Sequence, residues 1–105
     1  MNKYIFYIIL ISNFSFSQER RITRQANSYI IENKDSISME KAINKYNNAI
    51  KLNDNFNIAK YNLSNSLYNN KEYEEAIKLL DEVIISEKDA NRKASAYYNK
   101  GINEL

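Results

Sequence analysis

The side chains best suited to chemistry are the carboxylates between residues 72 and 82, where five acidic residues occur in eleven positions. Two carboxylates held close together can act as general acid and base. Their spacing, however, is also that of the solvated face of a helix, which is the simpler interpretation. The chain has no His and no Cys, which excludes imidazole bases, thiolate nucleophiles, disulfides and the usual zinc ligands. We therefore expect no enzyme activity, no metal and no cofactor. The five residues are Glu72, Glu74, Glu75, Asp81 and Glu82.

The basic residues concentrate only once, at Arg20, Arg21 and Arg24. The whole chain carries 15 basic and 13 acidic residues, a net charge of +2. Such a balance creates no strong field, so nucleic acid is not an expected partner. The arginine cluster is interpreted as a solvated first turn of a helix.

The N-terminal segment has the organisation of an export signal. A short basic start is followed by the apolar run Tyr4 to Ile11, and Ser15 and Ser17 supply the small residues that precede cleavage before Gln18. The apolar run is about half of the roughly 20 residues that span a bilayer. We predict a signal peptide over 1–17 and an exported, periplasmic mature chain over 18–105. The alternative is an uncleaved segment that tethers the chain to the membrane.

The mature chain predicts five helices and no strand. It has no Pro and a single glycine, Gly101, whereas all-β folds need many turns. Apolar residues recur at helical spacing over about 19–33, 39–52, 56–69 and 72–87, and again from near Ala94 to the C-terminus. Ser38 is the expected N-cap of the second helix. Because the connections are short, consecutive helices are expected to lie antiparallel.

The second and fourth helices carry the same apolar pattern at one constant offset, which aligns position 39 with position 73. Two antiparallel helices form a hairpin that cannot bury its apolar faces alone, whereas stacked hairpins can. The pattern thus indicates stacked helical hairpins. The matched residues are Met39, Ala42, Ile43, Tyr46, Ala49 and Ile50 in the second helix and Tyr73, Ala76, Ile77, Leu80, Val83 and Ile84 in the fourth.

The stretch from Ala59 to Ile84, "AKYNLSNSLYNNKEYEEAIKLLDEVI", resembles the tetratricopeptide repeat (TPR) family. The resemblance implies an all-α, TPR-like α-solenoid of about two and a half repeats, over about 19–54, 56–88 and 93–105. It also implies small residues where two helices approach closely, which matches Ala26, Ser64 and Gly101 in the first helix of each hairpin, and Ala42 and Ala76 in the second. The proline that the family has after its second helix is absent here.

The family resemblance further implies a concave groove, lined by the first helix of each hairpin, that takes an extended peptide or a partner helix. Asn amides suit a peptide backbone because each offers a donor and an acceptor. A clamp for a terminal carboxylate is not expected, since its basic positions fall on Thr23, Ser95 and Asn99. Thr23, Ile30 and Ser95 also face the groove in this alignment. The residues predicted to bind a partner are Asn27, Ile58, Tyr61, Asn62, Asn65, Tyr68, Asn69, Tyr98 and Ile102.

More narrowly, the exported chain with "YNLSNSLYNNKEYEEAI" followed by "SEKDANRKASAYYNKG" is similar to periplasmic TPR proteins of bacterial aerotolerance (Bat) operons. That resemblance implies a scaffold that assembles with membrane-bound envelope proteins. One alternative is a self-assembling structural fragment, which would form a homodimer through Tyr97, Ile102 and Leu105. The other is a non-catalytic subunit of an envelope enzyme or transport complex.

Overall fold

The computed structural model describes residues 18–30 and 35–105, so the predicted signal peptide lies outside the described residues. In this part of the chain every regular element is a helix, which confirms the predicted all-α class. Residues 18–30 belong to α1. The four further helices are α2 (Ser36–Leu52), α3 (Asn57–Asn69), α4 (Tyr73–Ser86) and α5 (Ala90–Asn103). No helix in 18–30 or 35–105 is long and apolar enough to cross a membrane.

The start of α2 differs from the prediction, which made Ser38 the N-cap. The N-cap is Asp35, whose carboxylate accepts a hydrogen bond from the backbone N–H of Ser38 at 2.7 Å. Ser38 is instead a buried residue in the first turn of the helix. A carboxylate is a strong acceptor for the orphan N–H groups of a helix start, so the helix begins one turn earlier than predicted.

The fifth helix also begins earlier than predicted, at Ala90 instead of near Ala94. Asp89 is its N-cap and accepts from the N–H of Arg92 at 2.9 Å. The apolar periodicity resumes only near Ala94, so the sequence places the start of the helix there. The helix nevertheless starts at Ala90, because Asp89 caps it and the good helix formers Arg92 and Lys93 follow.

The link between α3 and α4 is a tight helix end. The N–H of Glu72 donates to the carbonyl of Leu67 at 2.8 Å, and the N–H of Lys71 donates to that of Tyr68 at 2.9 Å. These two bonds form a Schellman motif, in which the residue after the cap has a positive φ. Lys71 adopts φ 64° there, a position where glycine is usual. The chain therefore reverses tightly and brings α4 back along α3.

Neighbouring helices run antiparallel, as predicted. Asn57 at the start of α3 contacts Glu87 just after α4, while Tyr68 near the end of α3 packs edge-on against Tyr73 at the start of α4. Small side chains fill the closest approaches between helices. The fully buried alanines are Ala26, Ala42, Ala49, Ala59, Ala76 and Ala96.

The predicted small contacts hold in the first two hairpins and fail at the third position. Ala26 and Ser64 are buried. At Gly101 an added Cβ would meet no atom within 4 Å. No described helix lies against that side of α5, so the expectation of a close contact at Gly101 is wrong within this structure.

Each hairpin is closed at its open end by a hydrogen bond between a Glu and an Asn, which we call the hairpin clasp. In the first, Asn53, the C-cap of α2, donates to Glu19 in α1 at 3.2 Å. In the second, Asn57 at the start of α3 donates to Glu87, the C-cap of α4, at 3.1 Å. Glu19 and Asn57 occupy equivalent positions in successive hairpins, and so do Asn53 and Glu87. The same contact thus recurs with the two residue types exchanged.

Candidate functional site

Helix α3 is joined directly to α1 on one side and to α5 on the other by asparagine side chains. Asn62 of α3 donates to the amide oxygen of Asn27 in α1 at 3.2 Å, and Asn99 of α5 donates to that of Asn65 in α3 at 3.1 Å. In the alignment of the repeats, Asn65 corresponds to Asn27 and Asn99 corresponds to Asn62. The two bonds are therefore equivalent steps in successive repeats. We call these four residues the asparagine ladder.

The asparagine ladder connects to the core at both steps. The buried Tyr46 hydroxyl of α2 donates to the Asn27 oxygen, which therefore accepts two hydrogen bonds. Asn99 also donates to the Tyr61 hydroxyl at 2.8 Å. Burial raises the pKa of Tyr46 to about 12, because a phenolate would be desolvated there. The ladder thus fixes the spacing of the three helices through neutral polar groups that bond to one another.

A first depression lies between α1 and α3, with a volume of about 290 Å³. Three of the four ladder residues and a further asparagine, Asn69, are among its lining residues. Asn65 and Asn69 are exposed at this depression, so their amides are accessible to a ligand. The lining residues are Asn27, Ile30, Tyr46, Asn62, Asn65, Ser66 and Asn69.

A second depression of about 260 Å³ lies between α3 and the facing ends of α4 and α5. Its base is apolar: the Tyr61 ring packs against the cluster of Leu80, Val83, Ile84 and Ala96, and Ile58 remains 46% exposed. Asn62 lines this depression and the first one, so the two adjoin. The lining residues are Asn57, Ile58, Tyr61, Asn62, Val83, Glu87, Arg92 and Ser95.

A wider cleft of about 410 Å³ continues from the second depression towards the helix ends and carries Arg20, Lys88 and Arg92. Arg92 pairs with the Glu87 carboxylate at 3.1 Å. Burial alone would raise the pKa of Glu87. Hydrogen bonds from the Asp89 N–H, Asn57 and Arg92 outweigh that effect and hold the pKa below its usual value. Glu87 is therefore ionised at neutral pH and orders the mouth of the cleft.

The structure places most of the predicted partner-binding residues together on this side of the molecule. Asn27, Asn62, Asn65 and Asn69 line the first depression, and Ile58, Tyr61 and Asn62 line the second. Tyr68, Tyr98 and Ile102 line neither of them. Tyr68 packs on Tyr73, and Tyr98 is 71% exposed further along α5.

At two of the positions that the family alignment places in the groove, the polar side chain forms hydrogen bonds within the fold and is not open to a ligand. Thr23 is buried and its hydroxyl donates to the Glu19 carbonyl at 2.8 Å. The Asn99 amide donates both to Tyr61 and to Asn65 within the fold. From the sequence, Asn99 is notable only as a position of the carboxylate clamp that lacks the basic side chain. Its alignment with Asn62 was the available signal for the ladder, although a side-chain bond cannot be inferred from spacing alone.

The residues proposed for self-association do not share one face. Tyr97 and Leu105 are exposed, whereas Ile102 is partly buried and corresponds to Asn65 of α3 in the alignment of the repeats. Ile102 therefore stands at the position where the asparagine ladder would need its next acceptor. The ladder cannot continue beyond α5.

Residues 18–30 and 35–105 contain no group of three or more acidic, His or Cys side chains that could hold a metal ion. Comparison of the chain with protein-family models gives no match, and neither does comparison with curated protein sequences. What defines the site is therefore its own geometry: two adjoining depressions on one side of a stack of helical hairpins.

Proposed function

We propose that this chain is a TPR-type interaction protein that binds an extended peptide along the side formed by α1, α3 and α5. The proposal rests on one observation above all. The two depressions adjoin at Asn62 and lie between successive members of that helix set. A bound peptide that passes over α3 at Asn62 can therefore contact both.

The chemistry of the two depressions favours different parts of a peptide. The exposed amides of Asn65 and Asn69 can each donate to and accept from a peptide backbone. The apolar base formed by Ile58 and Tyr61 suits one aliphatic or aromatic side chain. A peptide with an apolar residue flanked by extended backbone is the ligand class that fits both.

The setting of this function is part of the same proposal. The predicted export signal and the resemblance to Bat-operon TPR proteins support a scaffold role in the cell envelope. In that role the chain would hold membrane-bound partner proteins together. Any chemistry would then belong to a partner.

The test is selection of peptides from a random library on the full chain, followed by affinity measurement on two variants. Ile58→Arg places a charge at the base of the second depression. Ile85→Arg is the matched control, since Ile85 is 84% exposed on α4 and lines neither depression. We expect selected peptides to lose at least about tenfold in affinity, or about 1.4 kcal/mol, with Ile58→Arg only.

Two results would contradict the proposal. One is a failure to select any peptide on the folded chain. The other is equal affinity of the selected peptides for the parent and for Ile58→Arg.

A further inference from the structure

The cleft of about 410 Å³ beside the second depression carries an excess of positive charge. Its lining includes the cations Arg20, Lys88 and Arg92 and one carboxylate, that of Glu87, which together give a net charge of +2. The first depression has no charged lining residue, and the second has only the pair of Glu87 and Arg92. The basic character therefore belongs to the cleft and not to the two depressions.

The carboxylate in the cleft is already satisfied within the fold. One oxygen of Glu87 accepts from the Asp89 N–H at 3.2 Å and from Arg92 Nε at 3.1 Å. Its other oxygen accepts from the Asn57 amide at 3.1 Å, and that amide in turn accepts from the Ser86 hydroxyl at 3.1 Å. The Glu87 side chain is only 7% exposed. These groups are bonded to one another, so they do not compete for a ligand in the cleft.

Arg92 and Lys88 keep donors that no described residue uses. Arg92 contacts Glu87 through Nε, and the two terminal nitrogens of its guanidinium form no hydrogen bond within 18–30 and 35–105. The Arg92 side chain is 58% exposed. Lys88 is exposed and pairs with no carboxylate of the same residues. A guanidinium with open terminal nitrogens can bind a carboxylate through two hydrogen bonds, and the lysine adds a second positive charge.

A depression of about 420 Å³ between α2 and α4, which we call the α2–α4 depression, has the opposite charge. Glu72, Glu75 and Glu82 line it together with Lys78, a net charge of −2. It shares no lining residue with the cleft or with the first two depressions. An acidic peptide is therefore attracted to the cleft and repelled from the α2–α4 depression.

We propose that the peptide bound at the second depression carries an acidic side chain within two positions of its apolar residue, and that Arg92 and Lys88 bind this carboxylate. The inference rests on the proposed function and names the ligand class of the same site, an apolar–acidic peptide. Arg92 lines both the second depression and the cleft, so the apolar and acidic side chains are close along the peptide. An extended chain advances about 3.3 Å per residue, so two positions span about 7 Å.

The probes are four pools of short peptides with blocked ends, tested for retention on the immobilised full chain. Two pools have a central Leu with either one Glu or one Gln within two positions of it, and two matching pools have Ser in place of the Leu. The remaining positions vary among uncharged residues. Because the ends are blocked, a side chain is the only source of a carboxylate. Glu and Gln are similar in size, so the comparison isolates charge.

Mass spectrometry of the bound fraction measures the preference of the chain for Glu over Gln. We expect the leucine pool with Glu to be retained at least about fivefold more than the leucine pool with Gln, because a charge-assisted hydrogen bond is stronger than a neutral one. The preference should fall as the salt concentration rises from about 0.05 M to about 0.5 M, since the cleft is open to solvent.

Two substitutions test the cations. Arg92→Gln removes the open guanidinium, and Lys88→Glu reverses an exposed charge in the same cleft. Each should lower the preference for Glu to less than about twofold. Lys78→Glu is the matched control, because Lys78 is also exposed and lines only the α2–α4 depression among these surfaces. It changes the net charge as Lys88→Glu does, and it should leave the preference unchanged.

Circular dichroism shows whether the variants are folded. Arg92→Gln also removes a partner of Glu87, so it is the variant at risk of unfolding. Lys88 has no ion-pair partner in the described part of the chain, so Lys88→Glu decides the outcome if Arg92→Gln is unfolded.

Two results would overturn this proposal and leave the proposed function standing. The leucine pool with Gln could bind as well as the one with Glu while both exceed their serine counterparts, or the preference for Glu could persist in Lys88→Glu and in folded Arg92→Gln. A different result, in which neither leucine pool exceeds its serine counterpart, would overturn the proposed function and this inference together.

Discussion

Tyr46 is the largest of the most deeply buried side chains, and it connects the core to the candidate site. Its ring lies in the cluster with Ala26, Ala42 and Leu63, and its hydroxyl donates to Asn27 of the asparagine ladder. Because Asn27 also accepts from Asn62, one buried phenol helps to position the first depression. The next repeat has Leu80 at the equivalent position, where no such bond is possible.

Replacing Tyr46 with Phe is expected to cost about 0.5–1.5 kcal/mol at neutral pH, the usual net contribution of one hydrogen bond. The cost is limited because Asn27 keeps its bond from Asn62. Burial raises the pKa of Tyr46 from 10.0 to about 12, so the phenol's contribution is complete below pH 10 and is lost as the pH rises towards 12. Urea unfolding of both chains at neutral and alkaline pH measures this.

The difference in unfolding free energy between parent and Tyr46→Phe should therefore shrink as the pH rises from 10.0 towards about 12. A difference that is constant across this range would mean that the Tyr46 hydroxyl is not desolvated in the fold. Tyr98→Phe is the control, because Tyr98 is 71% exposed. Removing its hydroxyl should change the free energy of unfolding by less than about 0.5 kcal/mol.

At the scale of elements, the hairpin clasps provide a test of how each pair of helices is closed. Asn57→Glu places a second carboxylate beside Glu87, and Glu87→Asn removes the acceptor of Asn57 and Arg92. Each single change should destabilise the chain. The double exchange recreates the arrangement of Glu19 and Asn53, so we expect it to be more stable than the sum of the single effects by about 1 kcal/mol. Denaturant unfolding of the four chains gives this coupling energy.

The clasp also predicts a dependence on acid. The pKa of Glu87 lies below its ordinary value of 4.5, so its stabilising contribution is present above that pH and is lost as the pH falls through the lowered pKa. Glu87→Gln should reduce the acid-induced part of the loss.

An additive double exchange at neutral pH, with no coupling, would show that Asn57 and Glu87 do not act as a pair.

The sequence predicts the elements well where periodic apolar residues define them and less well where polar residues do. The matched patterns of α2 and α4 and the buried alanines follow from packing, which leaves a periodic signal. The caps at Asp35 and Asp89 depend on which of several polar residues reaches the N–H groups. The roles of Asn27 and Asn99 depend on distances between helices that are remote in sequence. Composition alone cannot separate a ladder amide from a ligand-binding one.

At the scale of the whole molecule, close approach of helices at alanine joins the first two hairpins in one buried cluster. Ala76 is fully buried in the cluster that also contains residues of α1, α2 and α3. Ala76→Leu should overpack this contact and cost about 1–3 kcal/mol. For a domain with a stability of about 5 kcal/mol, that is a large fraction of the total. Thermal unfolding followed by circular dichroism measures it.

Ala90→Leu is the matched control, because Ala90 is exposed in the first turn of α5. Its thermal midpoint should stay close to that of the parent. If Ala76→Leu unfolds at the same temperature as Ala90→Leu, the inference that α4 packs closely against α1, α2 and α3 at Ala76 is wrong.

The exchanged clasps bear on how the chain avoids misassembly. Repeat proteins can misfold when a helix pairs with the wrong copy of its neighbour, since the apolar faces are nearly identical. If α1 paired with α4, Glu19 would meet Glu87, and two carboxylates would be brought together at a buried hairpin end. That wrong pairing carries an electrostatic penalty that the correct one does not. The exchange of Glu and Asn between the two clasps therefore favours the correct pairing of helices during folding. The apolar pattern alone does not distinguish α2 from α4 as a partner.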